Sequence, residues 1–406
     1  SRIAGGNKVI VDSGGIRCVL ELDEHLEKRR ILLTLQRKSC SDAMHRLRPI
    51  RLGGRKCRDK CDKKDDREES LHCLSRIVDR RFLLGDEERE KFVAIMRKLE
   101  AFLGIRVVTY AVMSNHFHLL VEEPDRSEQA PLDRETLLQR MGDLYDAHAV
   151  DTVRQELDRA AASNDPRWEE EILERYARRM GDISIFMKEL KQRFSSWYNR
   201  RSGRKGTLWE ERYKSLLVEG DEKALLAIAA YIDLNAFRAG IVDRVEDYRW
   251  CGYASAVAGN DRARVGLGRI LRNSPRISGE NFEQDWKATG AIYRLWLYDQ
   301  GEKRESSDKK DVGRLVRRGF APEEVEAEIA KGGKLPLRRV ICVRVRYFID
   351  GGALGSAAFV ERVFERNRSC FGPKRKSGTR RMRDADWGEL RVLRELRGDR
   401  IGHPPE

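Results

Sequence analysis

Two histidines separated by one residue, His116 and His118, form the sharpest chemical signal in the sequence. They open the segment HFHLLVEE, whose apolar character predicts a β-strand over 116–123. Residues i and i+2 of a strand face the same side, so the two imidazoles project together while Phe117 points to the opposite face. Two convergent imidazoles suit a divalent metal ion, which needs at least one further ligand. The same pattern also occurs by chance on sheet surfaces that bind nothing.

A predicted helix over 224–238 carries residues that could complete such a site. Its sequence AYIDLNAFRAG places Tyr231 and Asn235 four residues apart, on one helix face and one turn from each other. A phenol that can act as a nucleophile would then lie beside an amide oxygen that can bind a metal ion. The alternative is a half-buried aromatic residue and an ordinary polar residue near a helix end.

The elements that must position these residues follow from the hydrophobic pattern. The sequence predicts a strand, a helix, a strand and, after a two-residue turn, a third strand, over 71–78, 86–103, 105–113 and 116–123. This order is typical of an α+β fold with an antiparallel hairpin. Helical periodicity continues from 131 to 201, and a basic loop, NRRSGRKG, follows at 199–206.

The charge balance of the chain favours a polyanionic partner, most often nucleic acid. Its 406 residues include 81 Lys and Arg against 67 Asp and Glu, a formal net charge of +14. No apolar stretch approaches the ~18 residues of a membrane-spanning helix, which argues against an integral membrane protein. The eight cysteines form no CxxC pair, and Cys57 and Cys61 lack a second ligand pair for zinc. We therefore expect reduced thiols and a cytoplasmic, nucleoid-associated protein.

Three segments of the sequence together resemble the single-tyrosine HUH transposases, which are of the insertion-sequence type. They are most similar to the REP-associated tyrosine transposase branch of that family. The segments are YAVMSNHFHLLVE at 110–122, MKELKQRFSSWYNRRSGRKGTLWEERYKSLLVE at 187–219 and AYIDLNAFRAGIVDRVEDYRW at 230–250. They occur in the family's order, and the resemblance extends from about Leu71 to Gly259, nearly half of the chain.

The resemblance implies both a fold and a set of roles. The fold would be a ferredoxin-like antiparallel sheet with packed helices, the HUH endonuclease fold. By the family's pattern His116, His118 and Asn235 would bind Mg²⁺ or Mn²⁺, and Tyr231 would be the nucleophile. Two other tyrosines in basic segments, Tyr198 and Tyr213, remain as alternatives for that role.

The activity implied is that of a transposase that cleaves and rejoins single-stranded DNA at hairpin-flanked mobile or repeated elements. The strand would pass through a 5′-phosphotyrosine intermediate, and some relatives act as homodimers. Two departures from the family stand out. Ala236 occupies a position where many relatives have proline, and the stretch 127–182 is longer than in minimal enzymes. Neither departure removes a catalytic group.

Candidate DNA-binding residues cluster around the basic loop. Their side chains offer either a positive charge for phosphates or an aromatic ring for base stacking; they are Arg200, Arg201, Arg204, Lys205, Trp197 and Trp209. The alternative is that the tryptophans belong to the core and that the loop is merely solvated.

The chain is expected to have three parts. Residues 1–69 would be a basic, flexible N-terminal extension, and 70–259 the catalytic domain with a helical insertion at 127–182. Residues 260–406 would be a small, mainly helical, basic accessory domain with a tail. Two other functions stay open: a domesticated hairpin DNA-binding protein that no longer cuts, and an HUH nickase that initiates replication or conjugation. The absence of a GxxxxGK[ST] motif counts against a replication initiator.

Overall fold

The computed structural model of the chain divides into two compact units, Ser1–Arg51 and Leu52–Glu406. The structure describes residues 8–13, 16–21, 69–123, 131–163, 165–272, 286–301, 335–336, 344–383, 385–393 and 401–402. In the first unit, strand β1 (Lys8–Ser13) pairs antiparallel with β2 (Ile16–Glu21). Most of the predicted N-terminal extension, including Cys57 and Cys61, lies outside the described residues.

The second unit is built on a seven-stranded sheet. Its strands and the short strands beside it are β3 (Glu69–Arg76), β4 (Arg106–Val112), β5 (His116–Glu122), β6 (Lys214–Glu219), β7 (Leu335–Pro336), β8 (Arg344–Val345), β9 (Ala353–Gly355), β10 (Arg380–Arg381), β11 (Ala385–Asp386), β12 (Arg391–Val392) and β13 (Ile401–Gly402). The order in the sheet is β10-β12-β9-β6-β3-β5-β4. Two separate pairs join β7 to β11 and β8 to β13.

Strand directions make the sheet mixed. The strand β3 runs antiparallel to both β5 and β6, and β5 runs antiparallel to β4. The strand β9, however, runs parallel to β6. The α+β class predicted from the sequence is confirmed. Within 70–259, the span predicted to hold an antiparallel sheet, the strands β3, β4, β5 and β6 do pair antiparallel. The chain then returns to β6 from the C-terminal side and adds β9 as a parallel neighbour, so the complete sheet is mixed.

Twelve α-helices occur among the described residues. They are α1 (Asp86–Leu103), α2 (Arg134–Leu144), α3 (Ala147–Ala161), α4 (Pro166–Ala177), α5 (Ile183–Arg201), α6 (Glu222–Asp233), α7 (Asn235–Arg238), α8 (Gly252–Val257), α9 (Asp261–Leu271), α10 (Trp286–Gly301), α11 (Arg346–Asp350) and α12 (Ala357–Arg366). Among these helices, none combines the length with the apolar composition that crossing a bilayer requires.

The helix α1 forms for reasons that are visible in its sequence. Three acidic residues in its first turn favour the positive end of the helix dipole. Phe92, Met96 and Leu99 recur at helical spacing and are completely buried. The helix ends at Gly104, whose φ of 66° is a left-handed conformation that glycine adopts without steric cost. The predicted and observed bounds of this helix agree.

Helices cover both faces of the sheet. Alternate residues of β5 divide between them: Phe117 and Leu119 belong to the core under α1 and α5, whereas Leu120 belongs to the core under α6. Because His116 and His118 share the parity of Leu120, they lie on the α6 face. The helices α2, α3 and α4 occupy the predicted insertion and pack in succession beside α1, on the other face.

The predicted helix over 224–238 is in fact two helices. The side chain of Asp221 caps α6 by accepting a hydrogen bond from Lys223 N, and every residue of α6 from Ala224 onward is buried. The helix stops at Asp233 because Leu234 has a ψ of 1°, which is outside the helical range, and α7 begins at the next residue. The prediction of one continuous helix was therefore wrong.

The C-terminal residues contribute to the same sheet as the rest of the second unit. Three short strands, β9, β12 and β10, continue the sheet beyond β6, and α12 packs against β9 and β12. The segment PKRKSGTRRMR, predicted as a basic tail, leads into β10. A separate accessory domain stays a prediction for the residues of this region outside the described part.

Candidate active site

The strand β5 brings His116 and His118 side by side. Their ring centroids are 5.1 Å apart, and the planes are nearly perpendicular at 81°. Both residues are buried, with 4% and 2% of their surface exposed. The neighbouring strand β3 pairs with them in register, so that Arg76 lies opposite His116 and Leu74 opposite His118.

Asn115 fixes the proton position on His116. The side-chain oxygen of Asn115 lies 2.6 Å from Nδ1 of His116. The amide nitrogen of the same side chain donates to the carbonyl oxygen of Arg80 at 3.2 Å, which establishes that the oxygen is the group facing the imidazole. Because an amide oxygen only accepts, Nδ1 of a neutral His116 carries the hydrogen and Nε2 carries the lone pair.

A third histidine fixes the proton position on His118. Nδ1 of His72, on β3, lies 2.8 Å from the carbonyl oxygen of Phe348, and its Nε2 lies 2.9 Å from Nδ1 of His118. The carbonyl can only accept, so a neutral His72 donates from Nδ1 and accepts at Nε2. His118 must then donate from Nδ1, which leaves the lone pair on its Nε2. A second bond of this kind is what orients metal-binding histidines in proteins.

His72 and His118 are both neutral near pH 7. Burial lowers the pKa of His72 to about 4, even though its hydrogen bond to Phe348 opposes the shift. Burial, and then the proximity of His116, hold the pKa of His118 well below its ordinary value. Neutral imidazole is the form that binds metal ions.

Tyr231 of α6 lies over this group of histidines. Its ring centroid is 5.9 Å from that of His118 and 6.4 Å from that of His72, with near-perpendicular planes in both contacts. Only 1% of the residue is exposed. The ring of Phe348 contacts it at 5.3 Å.

Arg238 of α7 anchors the same tyrosine. Its guanidinium carbon lies 4.3 Å from the centroid of the Tyr231 ring, and its Nη2 donates to the Tyr231 carbonyl oxygen at 2.7 Å. The arginine itself is 2% exposed. A cation held over an aromatic face and bonded to the same residue's backbone restricts where the phenol can point.

Asn235, the first residue of α7, is a buried polar residue whose side chain has no evident partner. It is completely buried, and among the described residues neither its Oδ1 nor its Nδ2 has a hydrogen-bond partner. An unsatisfied buried amide costs about 1–3 kcal/mol, so its presence calls for a reason. A divalent cation bound by Nε2 of His116, Nε2 of His118 and the Asn235 oxygen would supply one, and the chemistry of these donors suits it.

A metal site made of His, Cys, Asp and Glu alone is not available in the described part of the chain. No group of three or more such side chains has a suitable arrangement there. The proposed ligand set contains only two residues of these types, both histidines, and depends on an amide for its third ligand.

The two alternative tyrosines lie away from this centre. Tyr198 is 8% exposed and belongs to the core under α1 and α5, on the face of the sheet opposite the histidines. Tyr213 packs against the same core, and its hydroxyl donates to Ser184 Oγ at 3.4 Å. Of the three tyrosines considered from the sequence, only Tyr231 has a ring contact with His118.

Trp209, a predicted DNA-stacking residue, lies in the core of the second unit. It is 7% exposed and packs against the rings of Phe117 and Phe194 at 5.3 and 5.9 Å. Its indole nitrogen donates to the carbonyl oxygen of Lys191. Its ring therefore belongs to the apolar core under α5, the alternative considered from the sequence, and base stacking by Trp209 stays a prediction. Trp197 is half-buried and lies near Arg201, at 5.7 Å from its guanidinium carbon.

The segment 199–206, predicted as a basic loop, is helical up to Arg201, because α5 continues to that residue, and only 202–206 form a loop. Its cations differ in whether they have a partner. Arg201 forms an ion pair with Glu87, and Arg204 donates to the carbonyl oxygen of Thr207. Arg200 and Lys205 are exposed, and neither has an ion-pair partner among the described residues. These two side chains keep the charge that a phosphate backbone would need.

No protein-family model matches the sequence, and no curated protein matches it. The geometry of the candidate site and the three similar segments remain as the indications of function.

Four residues of the site were not found from the sequence, namely His72, Asn115, Arg238 and Phe348. Asn115 lies in the predicted two-residue turn before the histidines, and nothing in that position indicated its bond to His116. His72 gave a usable signal, since it lies in a predicted strand and shares a face with Leu74. Arg238 was visible as the last residue of the predicted helix over 224–238. Phe348 gave no signal, because its contact with the site depends on the return of the C-terminal region to the sheet.

Proposed function

We propose that this protein is a metal-dependent transposase that cleaves and rejoins single-stranded DNA through Tyr231. The observation that carries the proposal is the pair His116 and His118, each with its Nδ1 hydrogen fixed by a hydrogen bond. Their Nε2 lone pairs lie on the sheet face that also carries Tyr231, and the unsatisfied amide of Asn235 follows Tyr231 by four residues. A protein that only binds DNA needs none of this arrangement.

The residues that would hold a divalent cation, Mg²⁺ or Mn²⁺, are His116, His118 and Asn235. When bound, the cation would supply Lewis-acid polarisation of the scissile phosphate and would neutralise the charge that develops there. His72 and Asn115 would keep the two imidazoles in the tautomer that this role requires.

The hydroxyl oxygen of Tyr231 would attack the scissile phosphorus. One P–O bond forms to the phenol, the P–O bond to the 3′ oxygen breaks, and the product is a 5′-phosphotyrosine with a free 3′-hydroxyl. Attack by a 3′-hydroxyl then reverses the step, so that strands are joined without an external energy source. A phenol, with an ordinary pKa of about 10, is a better leaving group in this reversal than a serine alkoxide.

A second candidate function is a hairpin DNA-binding protein that no longer cuts. The observation that favours it is the burial of Tyr231, which is 1% exposed beneath Phe348 and Arg238. A DNA strand reaches this phenol only if side chains around it move. A nickase for replication or conjugation would use the same residues and differs only in its DNA target.

The test is a covalent-adduct assay on labelled hairpin DNA with single-stranded flanks, taken from repeats beside the gene. Wild type and Tyr231→Phe are incubated with Mn²⁺ or Mg²⁺ and run on a denaturing gel. We expect an adduct that disappears in Tyr231→Phe and with a chelator. The matched control is Tyr213→Phe, which should keep the adduct. Loss of the adduct in Tyr213→Phe alone would transfer the nucleophile to that residue, and tight binding without any adduct would favour the non-cutting protein.

A further inference from the structure

The loop that leaves β3 has an unusual backbone. Asp79 and Arg80 have φ values of 58° and 53°, and they are the two residues other than glycine with positive φ in the described part of the chain. Two successive left-handed residues with side chains cost of order 1–3 kcal/mol each, and such strain concentrates where a protein binds something.

Both ends of this loop are firmly attached. Ile77 is completely buried and donates from its N–H to the carbonyl oxygen of Asn115 at 2.8 Å. Leu84 is 2% exposed and donates to the carbonyl oxygen of Ser114 at 2.9 Å. Val78 donates to the carbonyl oxygen of Leu208, just after the basic loop. The loop is therefore held in place rather than free to collapse onto the core.

The side chains between these anchors point into solvent. Phe82 is 68% exposed, although burying a phenylalanine side chain usually stabilises a protein by about 1.5–3 kcal/mol. Arg80 and Arg81 are exposed beside it, and neither guanidinium has an ion-pair partner among the described residues. The one acidic neighbour within the loop is Asp79, which is also exposed. An aromatic ring with two uncompensated guanidinium groups is the combination that binds single-stranded nucleic acid.

The loop is also linked to His116 through hydrogen bonds of Asn115. The carbonyl oxygen of Arg80 accepts from the side chain of Asn115, and the other end of that side chain faces Nδ1 of His116 at 2.6 Å. Two hydrogen bonds thus separate the loop backbone from a proposed metal ligand. A strand bound by this loop would lie next to the candidate active site.

We propose that the loop Asp79–Phe82 binds the single-stranded DNA next to the scissile phosphate, with Phe82 stacking on a base and Arg80 and Arg81 contacting phosphates. This inference rests on the proposed function, because it names how that site holds its substrate strand. Lys205 lies in the loop that leads to Leu208, and Arg200 lies in the last turn of α5 before that loop.

The test measures binding without cleavage, in the Tyr231→Phe background and without metal. The probes are a labelled oligothymidylate and a blunt duplex of the same length, because stacking tolerates any base. We expect Phe82→Ala to weaken oligothymidylate binding about 5- to 150-fold, to leave duplex binding unchanged and to keep the thermal stability. Phe82→Trp should retain binding. The control variants are Leu295→Ala, which removes another exposed apolar side chain, and Arg159→Ala, which removes an exposed cation on α3.

The salt dependence of binding tests the contribution of Arg80 and Arg81 independently of Phe82. The double variant Arg80→Ala/Arg81→Ala should reduce the slope of log K against log salt by about 1.4, since each phosphate contact on a single strand contributes about 0.7. Cross-linking of oligonucleotides containing 5-iododeoxyuridine should label the peptide that contains Phe82. Unchanged oligothymidylate binding in Phe82→Ala, or an equal loss of duplex binding, would overturn the inference.

The outcomes distinguish this inference from the proposed function. Strand binding that depends on Phe82, with no covalent adduct in the active-site assay, would leave the loop assignment standing and remove the transposase. If Phe82→Ala, made without the Tyr231→Phe change, forms the covalent adduct normally and binds the strand as tightly as wild type, the transposase proposal stands and the loop assignment falls. If the loop binds a protein and not DNA, Phe82→Ala would weaken binding of that protein and leave the affinity for oligothymidylate unchanged. This result would also count against the inference.

Discussion

His72 and His118 share a single hydrogen bond, with 2.9 Å between Nε2 of the first and Nδ1 of the second. The two residues come from neighbouring strands, and their rings stack with an interplanar angle of 13°. Since His72 also bonds to the carbonyl oxygen of Phe348, the chain of bonds has one direction only. It leaves the lone pair of His118 on Nε2, the nitrogen available for a ligand.

Replacing His72 should weaken metal binding without touching a proposed ligand. We expect His72→Phe to lower the affinity for Mn²⁺ about 10- to 100-fold, the usual effect of losing a residue that orients a metal-binding histidine. The affinity can be measured from the electron paramagnetic resonance signal of free Mn²⁺. Nitrogen-15 NMR of the imidazoles should show that His118 no longer holds its hydrogen on Nδ1 alone.

The matched control for this change is His148→Phe, which removes an exposed histidine on α3. Its affinity for Mn²⁺ should equal that of wild type. If His72→Phe binds Mn²⁺ as tightly as the control does, the orienting role of His72 is wrong.

Replacing Asn235 should separate stability from metal binding. In Asn235→Leu an apolar side chain of similar size takes the place of a buried amide that lacks hydrogen bonds. We expect the metal-free protein to melt at the same temperature as wild type or higher. The rise in melting temperature that Mn²⁺ gives to wild type should be absent, because a ligand stabilises only a state that it binds.

Asn367→Leu is the comparison for this experiment. Asn367 donates to the carbonyl oxygen of Val363, so its replacement should lower the melting temperature and preserve the effect of Mn²⁺. A persistent Mn²⁺ effect in Asn235→Leu would remove Asn235 from the ligand set.

Phe348 should control access to Tyr231. The phenylalanine is completely buried between Tyr231 and Trp387, with ring centroids 5.3 and 5.7 Å away. Phe348→Ala should destabilise the protein by about 3–5 kcal/mol through the cavity it leaves. The backbone carbonyl that His72 uses remains. We expect faster nitration of Tyr231 by tetranitromethane, measured by peptide mass spectrometry.

General loosening of the structure could produce the same result, and Phe364→Ala tests for it. Phe364 is equally buried but packs against Phe371 in a different cluster. Equal nitration of Tyr231 in the two variants would show that Phe348 has no specific effect.

Asp233 should make stability depend on pH. Its carboxylate accepts hydrogen bonds from Thr109 and Tyr293, but burial still raises its pKa from 3.8 to about 6. The folded state therefore binds the proton more tightly than the unfolded state. This contributes about 3 kcal/mol that is present below pH about 4 and is lost as the pH rises through about 6.

The measurement is urea unfolding between pH 4 and 7 of wild type and Asp233→Asn, a variant that does not titrate. The advantage of wild type over the variant should decrease across this range. Asp143→Asn removes an exposed carboxylate instead and should show no such trend. Parallel curves for wild type and Asp233→Asn would refute the prediction.

The elements that could be predicted from the sequence are those whose structure depends on residues close together in the chain. Helix α1 and the hairpin of β4 and β5 were predicted because their periodicity and turn residues are local. The spacing of residues on a strand and a helix, and then the family resemblance, brought His116, His118 and Tyr231 together in the prediction. In the structure, the ring of His118 contacts those of His116 and Tyr231. The identity of the metal and of the DNA stays a prediction.

The rest depends on contacts between distant residues. His72 and its acceptor Phe348 are 276 residues apart, and nothing in either local sequence indicates the bond. The strands β9, β10 and β12 have only two or three residues, too few for an alternating pattern to be recognised. The break between α6 and α7 at Leu234 involves no glycine or proline, so the sequence does not indicate it.

The bond between His72 and Phe348 also sets an order in time. The chain leaves the ribosome N-terminus first, so the two proposed metal ligands His116 and His118 and also Tyr231 emerge long before Phe348 does. Until then, His72 lacks this carbonyl, and a proton can occupy either nitrogen of His72 and of His118. A nascent chain, or one that ends before Phe348, would therefore carry the chemical groups of the centre without a fixed tautomer on His118. The centre would be completed only after the segment that contains Phe348 has been synthesised.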